Sequence, residues 1–378
     1  MTHHTQPHAH APLSPRAPRW LADLLHWFAI HRRPMPWRND PSPYKVWVSE
    51  IMLQQTRVTA VIPYFEHFIA RFPDIHQLAH APLEQVLKAW EGLGYYSRAR
   101  NLHKAANMIC QEHDATFPLT EDAWRKLPGV GPYTAAAIAS IALHIPAAAI
   151  DGNVIRVWAR LRGIRENVAA AAWHDKARQD LVRYARQCNP SLFNQAMMEL
   201  GALVCLPRNP ACEACPLRPA CHAARHNLTA VIPLRKQAAP VPHRNEIVLV
   251  IERDGQILMR QRPATGLLAG LWEFPARAVT TPKAAPARTA RALAHTLEIP
   301  ARAKLIRGNI VEHAFTHFTQ SLHVFRVSLK GPIPLPAGQW RWCAPADLET
   351  LPLSRSQRRI ADQQLHTVKH AAALPSGH

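Results

Sequence analysis

Residues 127–153, LPGVGPYTAAAIASIALHIPAAAIDGN, decide the fold of the first half of the chain, because they combine a glycine-rich turn, an apolar helix and a polar end. In the turn, Gly129 and Gly131 permit backbone angles that a side chain forbids and leave amide N–H groups uncovered. Isoleucines then recur at helical spacing among alanines, which predicts a closely packed helix whose N-terminus favours an anion. By itself the pattern also fits an ordinary helix-turn-helix corner without a ligand. The segment ends on one carboxylate, Asp151.

Length and charge indicate a globular protein of two or three domains that binds a polyanion. The chain has 378 residues and a formal charge of +19, from 45 Lys and Arg against 26 Asp and Glu. This excess favours nucleic acid as the partner. A membrane surface is the alternative, but no basic amphipathic helix stands out and no apolar run is long enough to span a bilayer. The His- and Pro-rich N-terminus lacks the apolar core of a signal peptide, so we expect a cytoplasmic, nucleoid-associated protein.

The spacing of apolar residues changes from a helical pattern in the first half of the chain to a strand pattern in the second. From Trp20 to Cys188, short apolar-periodic helices are broken by Pro or Gly without convincing strand alternation, which predicts an all-α first half. After a stretch rich in Pro, Lys and Arg, the pattern predicts an α+β second domain, with strands at 247–251, 256–260, 323–329 and 340–343 and a helix at 290–297. We predict these bounds: a disordered tail at 1–19, a helical domain at 20–226, a linker at 227–243, a second domain at 244–368 and a tail at 369–378.

Four of the seven cysteines lie in residues 205–221. Cys205, Cys212, Cys215 and Cys221 have the spacing C-x6-C-x2-C-x5-C, which in a reducing compartment argues for metal rather than disulfides. Four thiolates suit either a 4Fe-4S cluster or zinc. Structural zinc usually uses two close pairs, whereas here one C-x2-C is flanked by two lone cysteines, so we favour one 4Fe-4S cluster.

Two carboxylates are candidates for catalysis. Glu50, in WVSEIMLQQT, stands among apolar residues where a low dielectric raises the pKa of a carboxyl group and suits it to donate a proton. Asp151, in AIDGNV, follows an apolar segment at a break. Cleavage of a glycosidic bond needs such a pair, one acid for the leaving group and one carboxylate facing the sugar cation. Each alone also fits a capping or surface carboxylate.

A further segment, WEGLGYYSRARN at 90–101, combines a Gly-Leu-Gly turn, two tyrosines and two arginines. Aromatic rings beside cations at a turn suit wedging into and stacking on nucleic acid, and Tyr95 is the candidate. A tyrosine pair packed against the core is the alternative. Gln54 and Gln55 fit either base-edge contacts or a solvent-facing position.

The segments SEIMLQQT, WEGLGYYSRARNL, LPGVGPYTAAAI, IDGNV and FNQAMMELGALVC, followed by the four-cysteine loop, resemble in this order the adenine DNA glycosylases of the MutY type. These belong to the helix-hairpin-helix glycosylases that include endonuclease III. The resemblance covers nearly the whole chain from Trp20. It implies a six-helix domain and a cluster-bearing helical domain with the active site between them. It also implies a monomer that excises adenine opposite 8-oxoguanine or guanine in double-stranded DNA.

The resemblance also implies roles for individual residues. The family's general acid falls on Glu50, its cation-stabilising carboxylate on Asp151 and its active-site asparagine on Asn153, while Arg38 matches a position near the active site. Tyr133 stands where the lyase relatives carry the lysine that forms a Schiff base, so we expect no lyase activity. The expected contacts with DNA are Gln54, Gln55, Tyr95, Gly129 and Gly131.

The second domain resembles a Nudix fold whose box has lost its metal ligands. The chain reads RALAHTLE there, with Ala292, His295 and Thr296 where metal-binding glutamates belong, so pyrophosphatase activity is not expected. EHAFTHF at 312–318 resembles instead the 8-oxoguanine-reading loop of MutY-type proteins, with Phe315, Thr316 and His317 at the contact positions. Thr316 replaces the commoner serine and keeps its hydroxyl.

Three other functions fit parts of the sequence. Tyr133 and the additional C-terminal domain argue against an endonuclease III-like lyase. A non-enzymatic iron-sulfur DNA sensor would require an exposed Glu50 and no pocket for a base. A Nudix hydrolase would require the missing glutamates.

Overall fold

The computed structural model describes residues 13–234, 240–279 and 286–372, with side chains up to Leu365. Parts of the predicted tails and linker, at 1–12, 235–239 and 373–378, lie outside these residues. The chain packs as two compact units, unit 1 (Met1–His80 and Lys104–Gln237) and unit 2 (Ala81–His103 and Ala238–His378). The predicted domain bounds stay predictions, and this packing differs from them in placing 81–103 in unit 2.

The described helices are α1 (Arg19–His31), α2 (Pro36–Asn39), α3 (Pro43–Leu53), α4 (Val58–Arg71), α5 (Ile75–His80), α6 (Leu83–Ala89), α7 (Ser97–Glu112), α8 (Glu121–Arg125), α9 (Pro132–Ile141), α10 (Gly152–Arg162), α11 (Ala171–Ala185), α12 (Pro190–Leu203), α13 (His222–Arg225), α14 (Pro286–Thr296) and α15 (Arg355–Ala372). Short 3₁₀ turns lie at Cys212–Ala214, Arg218–Ala220 and Pro345–Glu349. In the part of the chain that the structure describes, no helix is long and apolar enough to cross a membrane.

The chemistry of the chain sets the ends of the helices that carry the candidate site. Before α3, the Ser42 hydroxyl accepts a hydrogen bond from the Lys45 amide, and Pro43 occupies the first turn. In the glycine-rich turn before α9, Gly129 has φ +77°, a left-handed angle that glycine adopts at little cost. α10 is capped at its N-terminus by the Asp151 carboxylate and at its C-terminus by Gly163, which has φ +70°.

Unit 1 is helical in its described residues, as the periodicity predicts. Its largest described core cluster joins α1, α10, α11 and α12, with Trp27, Phe28, Trp158 and Phe193 among its buried side chains. α9 packs against α3 and α12, and α10 packs against α12. Residues of α3, α9, α10 and α12 line a common space.

Unit 2 contains a mixed sheet. Its strands are β1 (His243–Arg253), β2 (Gln256–Gln261), β3 (Trp272–Glu273), β4 (Ala276–Ala278), β5 (Ile306–Ala314), β6 (Thr319–Leu329) and β7 (Trp340–Cys343). The order is β3-β2-β1-β6-β5, with β4 paired to β1 and β7 to β2. β1 and β6 run parallel, and the other pairs are antiparallel.

Alternation along β1 builds two cores, one on each face of the sheet. Ile247, Leu249 and Ile251 pack with α14, whereas Val248 and Val250 pack with α15 and the 3₁₀ turn before it. The predicted fold class is therefore confirmed: an all-α region and a C-terminal α+β domain. β3, β4, β5 and α15 were not predicted: β3 and β4 are only two and three residues long, β5 has no alternation of buried and exposed residues, and α15 is rich in polar residues.

Candidate active site

A cleft of about 440 Å³ in unit 1 brings together five residues that the sequence singled out. α3 contributes Glu50, α9 contributes Tyr133, and the start of α10 contributes Asp151 and Asn153. Arg38, at the end of α2, lines the same cleft. Residues far apart in sequence thus face one space that a single base could enter.

Glu50 is buried, with 5% of its surface exposed. The combined effects of its surroundings leave the pKa of its carboxyl group at about 7: burial raises this pKa most, and the charge of Asp151 raises it further. A hydrogen bond from the Tyr133 hydroxyl to Glu50 Oε2, at 2.7 Å, and the charge of Arg38 lower this pKa. The net result is a carboxyl group that still holds its proton near neutral pH.

Asp151 lies in a different environment. Burial raises the pKa of Asp151 above its usual value, although hydrogen bonds from Val154 and Asn153 and the charge of Arg156 lower it in part. The Val154 amide donates to Oδ1 at 2.7 Å, and the Asn153 side-chain amide donates to Oδ2 at 2.8 Å. These hydrogen bonds to both carboxylate oxygens suit Asp151 to the role of the anion, which stays a prediction.

Arg33, Arg38 and the buried carboxylate Glu199 form part of the cleft wall, and sequence reasoning did not single out Glu199. Glu199 on α12 is 2% exposed and accepts hydrogen bonds from Arg33 Nε at 2.8 Å and from Arg38 at 3.0 Å. Burial alone would raise the pKa of Glu199, but these two arginines lower it below its usual value. Arg38 also donates to Gln195 at 2.9 Å. The partners of Glu199 lie more than a hundred residues away in sequence, so spacing could not reveal the cluster.

Asn194 supports the approach to Asp151. Its side chain is 3% exposed, accepts from the Ala149 amide at 2.8 Å and donates to the Ala147 carbonyl at 2.9 Å. These bonds hold the extended segment that ends at Asp151.

Arg156 links the first turn of α10 to the end of α12 and to Cys205. Its guanidinium donates to Asn153 Oδ1 and the Gly201 carbonyl, each at 2.7 Å, and to the Cys205 carbonyl at 2.6 Å. A Cβ atom on Gly201 would lie 2.5 Å from Asn153 Cβ. The absence of a side chain at Gly201 therefore lets α12 approach Asn153 closely.

The residues predicted to contact DNA lie outside the cleft wall. Gly129 and Gly131 are exposed in the turn before α9, where backbone amides and the helix N-terminus favour an anion. Gln54 donates to the Thr134 hydroxyl at 3.2 Å, and Gln55 is exposed with φ +60°. These positions suit contacts with a phosphate backbone and with bases beside a flipped nucleotide.

The four clustered cysteines are free thiols that line one pocket beside α10 and α13. Arg160, 2% exposed, reaches this pocket: its guanidinium lies 3.4 Å from Cys205 Sγ and donates to the Leu206 and Thr229 carbonyls at 2.7 Å. Among the described residues, no group of three or more His, Cys, Asp or Glu side chains is arranged to hold a single metal ion, whereas a 4Fe-4S cluster is held by four separate cysteine thiolates. Four thiols around one pocket with a buried cation beside them fit the donor set of a 4Fe-4S cluster.

In unit 2, the loop between β5 and β6 carries the predicted 8-oxoguanine readers. Phe315, Thr316 and His317 line a groove of about 320 Å³ together with Tyr95. The Tyr95 hydroxyl donates a hydrogen bond to the Thr316 hydroxyl. The ring of Phe315 stacks on the ring of Phe318 within the same loop, and this contact stabilises the loop. The structure thus brings the predicted wedge and the predicted readers to one groove.

The degenerate Nudix box lies on α14. Ala292, His295 and Thr296 are all exposed on this helix. The Thr296 hydroxyl donates to the Ala292 carbonyl at 3.0 Å. None of the three supplies a carboxylate for a metal ion.

Comparison with known proteins agrees with both halves of the fold. Residues 48–183 match the HhH-GPD superfamily of base excision DNA repair proteins, and residues 247–363 match the NUDIX domain. A thermostable thymine-DNA glycosylase of known structure is 27% identical with a TM-score of 0.50, and the match covers 55% of this chain and 96% of that protein.

Two curated relatives match over most of the chain. The human adenine DNA glycosylase is 34% identical, over 89% of this chain and 72% of that protein. The rat adenine DNA glycosylase is 36% identical, over 84% of this chain and 73% of that protein. With this identity over both regions, and with the site residues of unit 1 around one cleft, the chain belongs to the adenine DNA glycosylase family.

Proposed function

We propose that this protein removes adenine paired with 8-oxoguanine or guanine in duplex DNA and leaves the strand intact. Family membership makes it a DNA N-glycosylase that excises adenine in DNA repair. Two points go beyond family membership and are proposed here: the preference for adenine opposite 8-oxoguanine or guanine, and the absence of strand cleavage. The observation that carries it is a pair of carboxyl groups in one cleft: the pKa of Glu50 is raised to about 7, and the Asp151 carboxylate accepts hydrogen bonds from the Val154 amide and the Asn153 side chain.

Glu50 acts as the general acid. An adenine flipped out of the stack enters the 440 Å³ cleft, and Glu50 donates its proton to a ring nitrogen. Protonation makes adenine a better leaving group, and positioned general acids contribute on the order of a hundred- to ten-thousandfold in rate. Tyr133 holds the Glu50 carboxyl group through its hydroxyl.

Asp151 faces the sugar. As the bond to adenine breaks, positive charge develops on the sugar, and a carboxylate beside it stabilises that charge until water attacks. Asn153 and the Val154 amide hold both carboxylate oxygens, so Asp151 needs no reorganisation when the charge appears. The product is an abasic site in an unbroken strand.

Strand cleavage by β-elimination requires an amine that attacks the sugar C1′ and forms a Schiff base. At the start of α9, Tyr133 occupies the position expected for that amine, and its phenol is committed to Glu50. A Nudix hydrolase is disfavoured because Ala292, His295 and Thr296 replace the carboxylates that would bind magnesium.

Selection of 8-oxoguanine is assigned to unit 2. Tyr95 wedges into the duplex, and the hydroxyl of Thr316 contacts the base opposite the adenine, with Phe315 and His317 beside it. The hydrogen bond between Tyr95 and Thr316 supports a single reading surface. A site that pairs with a polar group of one base discriminates against a base that lacks it by roughly 1–3 kcal/mol for each good contact.

Cys205, Cys212, Cys215 and Cys221 would hold the 4Fe-4S cluster. When bound, the cluster cross-links residues 205–221 into one loop. Arg160, on α10, donates to the Leu206 and Pro207 carbonyls of the same loop and to the Thr229 carbonyl beyond it. The exposed arginines around it, Arg208 and Arg218, are positioned to meet DNA phosphates.

The proposal is tested with duplexes that carry adenine opposite 8-oxoguanine, guanine, cytosine and thymine. Single-turnover assays of the free base should show adenine release, fastest opposite 8-oxoguanine. Thr316→Val, which keeps the shape and removes the hydroxyl, should lower the preference for 8-oxoguanine over guanine, whereas Thr316→Ser should keep it. Equal rates opposite 8-oxoguanine and guanine in the wild type would refute the proposed mispair specificity.

A further inference from the structure

The turn that carries Tyr95 adopts a strained backbone. Gly92 and Gly94 have φ +99° and +72°, and Tyr95 itself has φ +49°, a left-handed angle that residues with side chains seldom adopt. Such an angle costs on the order of 1–3 kcal/mol and persists only where the surroundings impose it. Other contacts must therefore hold the turn in place.

Glu91, directly before this turn, is one such contact. Its carboxylate accepts hydrogen bonds from Arg358 Nε at 2.6 Å and from Lys88 Nζ at 2.6 Å. The side chain is 13% exposed, against 19% for Arg358 and 27% for Lys88. The three charges are therefore screened less by solvent than a surface ion pair.

The two cations are themselves anchored to the segment that precedes α15. Arg358 donates to the Leu348 carbonyl at 2.8 Å and to the Leu351 carbonyl at 2.9 Å. Lys88 reaches the same Leu351 carbonyl at 3.4 Å. Glu91 thus joins the turn to a fixed part of unit 2.

A second anchor lies on the other side of the turn. The Tyr96 hydroxyl donates to the Leu353 carbonyl at 2.9 Å, and the Gly92 amide donates back to this hydroxyl at 3.3 Å. Arg98 donates to the Leu93 and Gly94 carbonyls at 3.2 and 3.0 Å. With both ends held, the Tyr95 ring lines the groove that contains Thr316, and its hydroxyl donates to the Thr316 hydroxyl.

We infer that Glu91, clamped by Arg358 and Lys88, is a positioning residue that holds the 92–95 turn so that Tyr95 meets Thr316. The inference rests on the proposed function in so far as this contact sets the preference for 8-oxoguanine. Glu91 touches neither the base nor the reacting atoms. It acts through the backbone of the turn, and so it affects recognition of the opposite base and not the chemistry at Glu50.

The test uses the full-length protein and the variants Glu91→Ala, Arg358→Ala and the double variant. Glu84→Ala is the matched acidic control, because Glu84 lies in the same segment and accepts from Trp272 Nε1 at 2.7 Å without contacting the turn. Arg302→Ala, an exposed arginine between α14 and β5, controls for the loss of one positive charge. Single-turnover rates of adenine release are measured opposite 8-oxoguanine and opposite guanine and are normalised to active enzyme.

Both single variants should reduce the ratio of the two rates by on the order of tenfold, as expected for a hydrogen bond to a charged group. The double variant should lose no more than Glu91→Ala alone, because Glu91→Ala already removes the contact between Arg358 and Glu91. The two controls should keep the ratio within about twofold. Additive losses, an equal fall in both rates, or an equal loss in Glu84→Ala would overturn the inference.

A second readout does not depend on base specificity. Amide hydrogen exchange of residues 92–97 in the DNA-free protein should be faster in Glu91→Ala and Arg358→Ala than in the wild type and in the two controls. If the wild type shows no preference for 8-oxoguanine, the proposed function has failed, and hydrogen exchange still decides whether Glu91 holds the turn. Unchanged exchange in both single variants would refute the clamp.

Discussion

The hydroxyl of Tyr133 donates a hydrogen bond to Glu50 Oε2 across 2.7 Å. This bond stabilises the ionised form of Glu50, whereas burial of the carboxyl group favours the protonated form more strongly. The balance leaves the pKa of Glu50 at about 7. A carboxyl group with this pKa can hold a proton and also release it at neutral pH, as a general acid must.

Replacing Glu50 with Gln should abolish adenine release and leave DNA binding intact. Glutamine keeps the size of the side chain but has no proton to give, so the loss should be on the order of a hundred- to ten-thousandfold. Single-turnover release and an equilibrium binding assay on the same duplex measure the two effects. Release within threefold of the wild-type rate would disprove the assignment of Glu50 as general acid.

The rate of adenine release should fall as the pH rises above about 7, because Glu50 donates its proton only in the protonated form. Tyr133→Phe removes a hydrogen bond that lowers the pKa of Glu50, so this pKa should rise. The falling limb of the pH–rate profile, where the rate drops as Glu50 loses its proton, should then move to higher pH. Single-turnover rates measured from pH 5 to 9 locate the limb. A limb that moves to lower pH in Tyr133→Phe would contradict the described hydrogen bond.

Gly201→Ala should damage the active site from outside the cleft. The added Cβ atom would lie 2.5 Å from Asn153 Cβ, so α12 or the start of α10 must shift. We expect unfolding free energy to fall by roughly 1–3 kcal/mol. Adenine release should slow by on the order of a hundredfold, because Asn153 and Asp151 move together. Gly331→Ala, where a Cβ atom meets nothing within 4 Å, is the control and should leave both quantities unchanged.

The purified protein should be brown and contain iron and sulfide in the proportions of one 4Fe-4S cluster. The four thiols that line one pocket supply the required ligands. Elemental analysis of anaerobically prepared protein tests this directly. Zinc without iron in such a preparation would show that these cysteines form a zinc site.

Borohydride should trap no covalent complex with DNA on the timescale of base release, because Tyr133 provides no amine for a Schiff base. The strand should break only after alkali or heat. Lys126 is exposed just before the turn and could react slowly with an opened sugar, so Lys126→Ala is the control. Rapid trapping that persists in Lys126→Ala, with immediate strand breaks, would show that the enzyme is a lyase.

Local signals in the sequence predicted many of the elements that carry the site. The glycine turn, the helix after it and the capping carboxylate at Asp151 follow from neighbouring residues, and the structure contains all three. The apolar run 247–251 predicted β1, since a strand buried on both faces needs an apolar side chain at every position. By contrast, β5 has exposed residues at most positions and lies at the edge of the sheet, so no alternation marked it.

The sequence by itself determined the helical and α+β regions, the cysteine spacing and the two carboxylates, because each depends on residues close together in the chain. Only the tertiary structure decided how these parts meet. It placed Tyr133 on Glu50, Glu199 between Arg33 and Arg38, and Tyr95 beside Thr316. The physical reason is that the pKa of Glu50 and the strained turn at Tyr95 depend on burial and on partners brought close by packing, and the order of residues along the chain does not specify either.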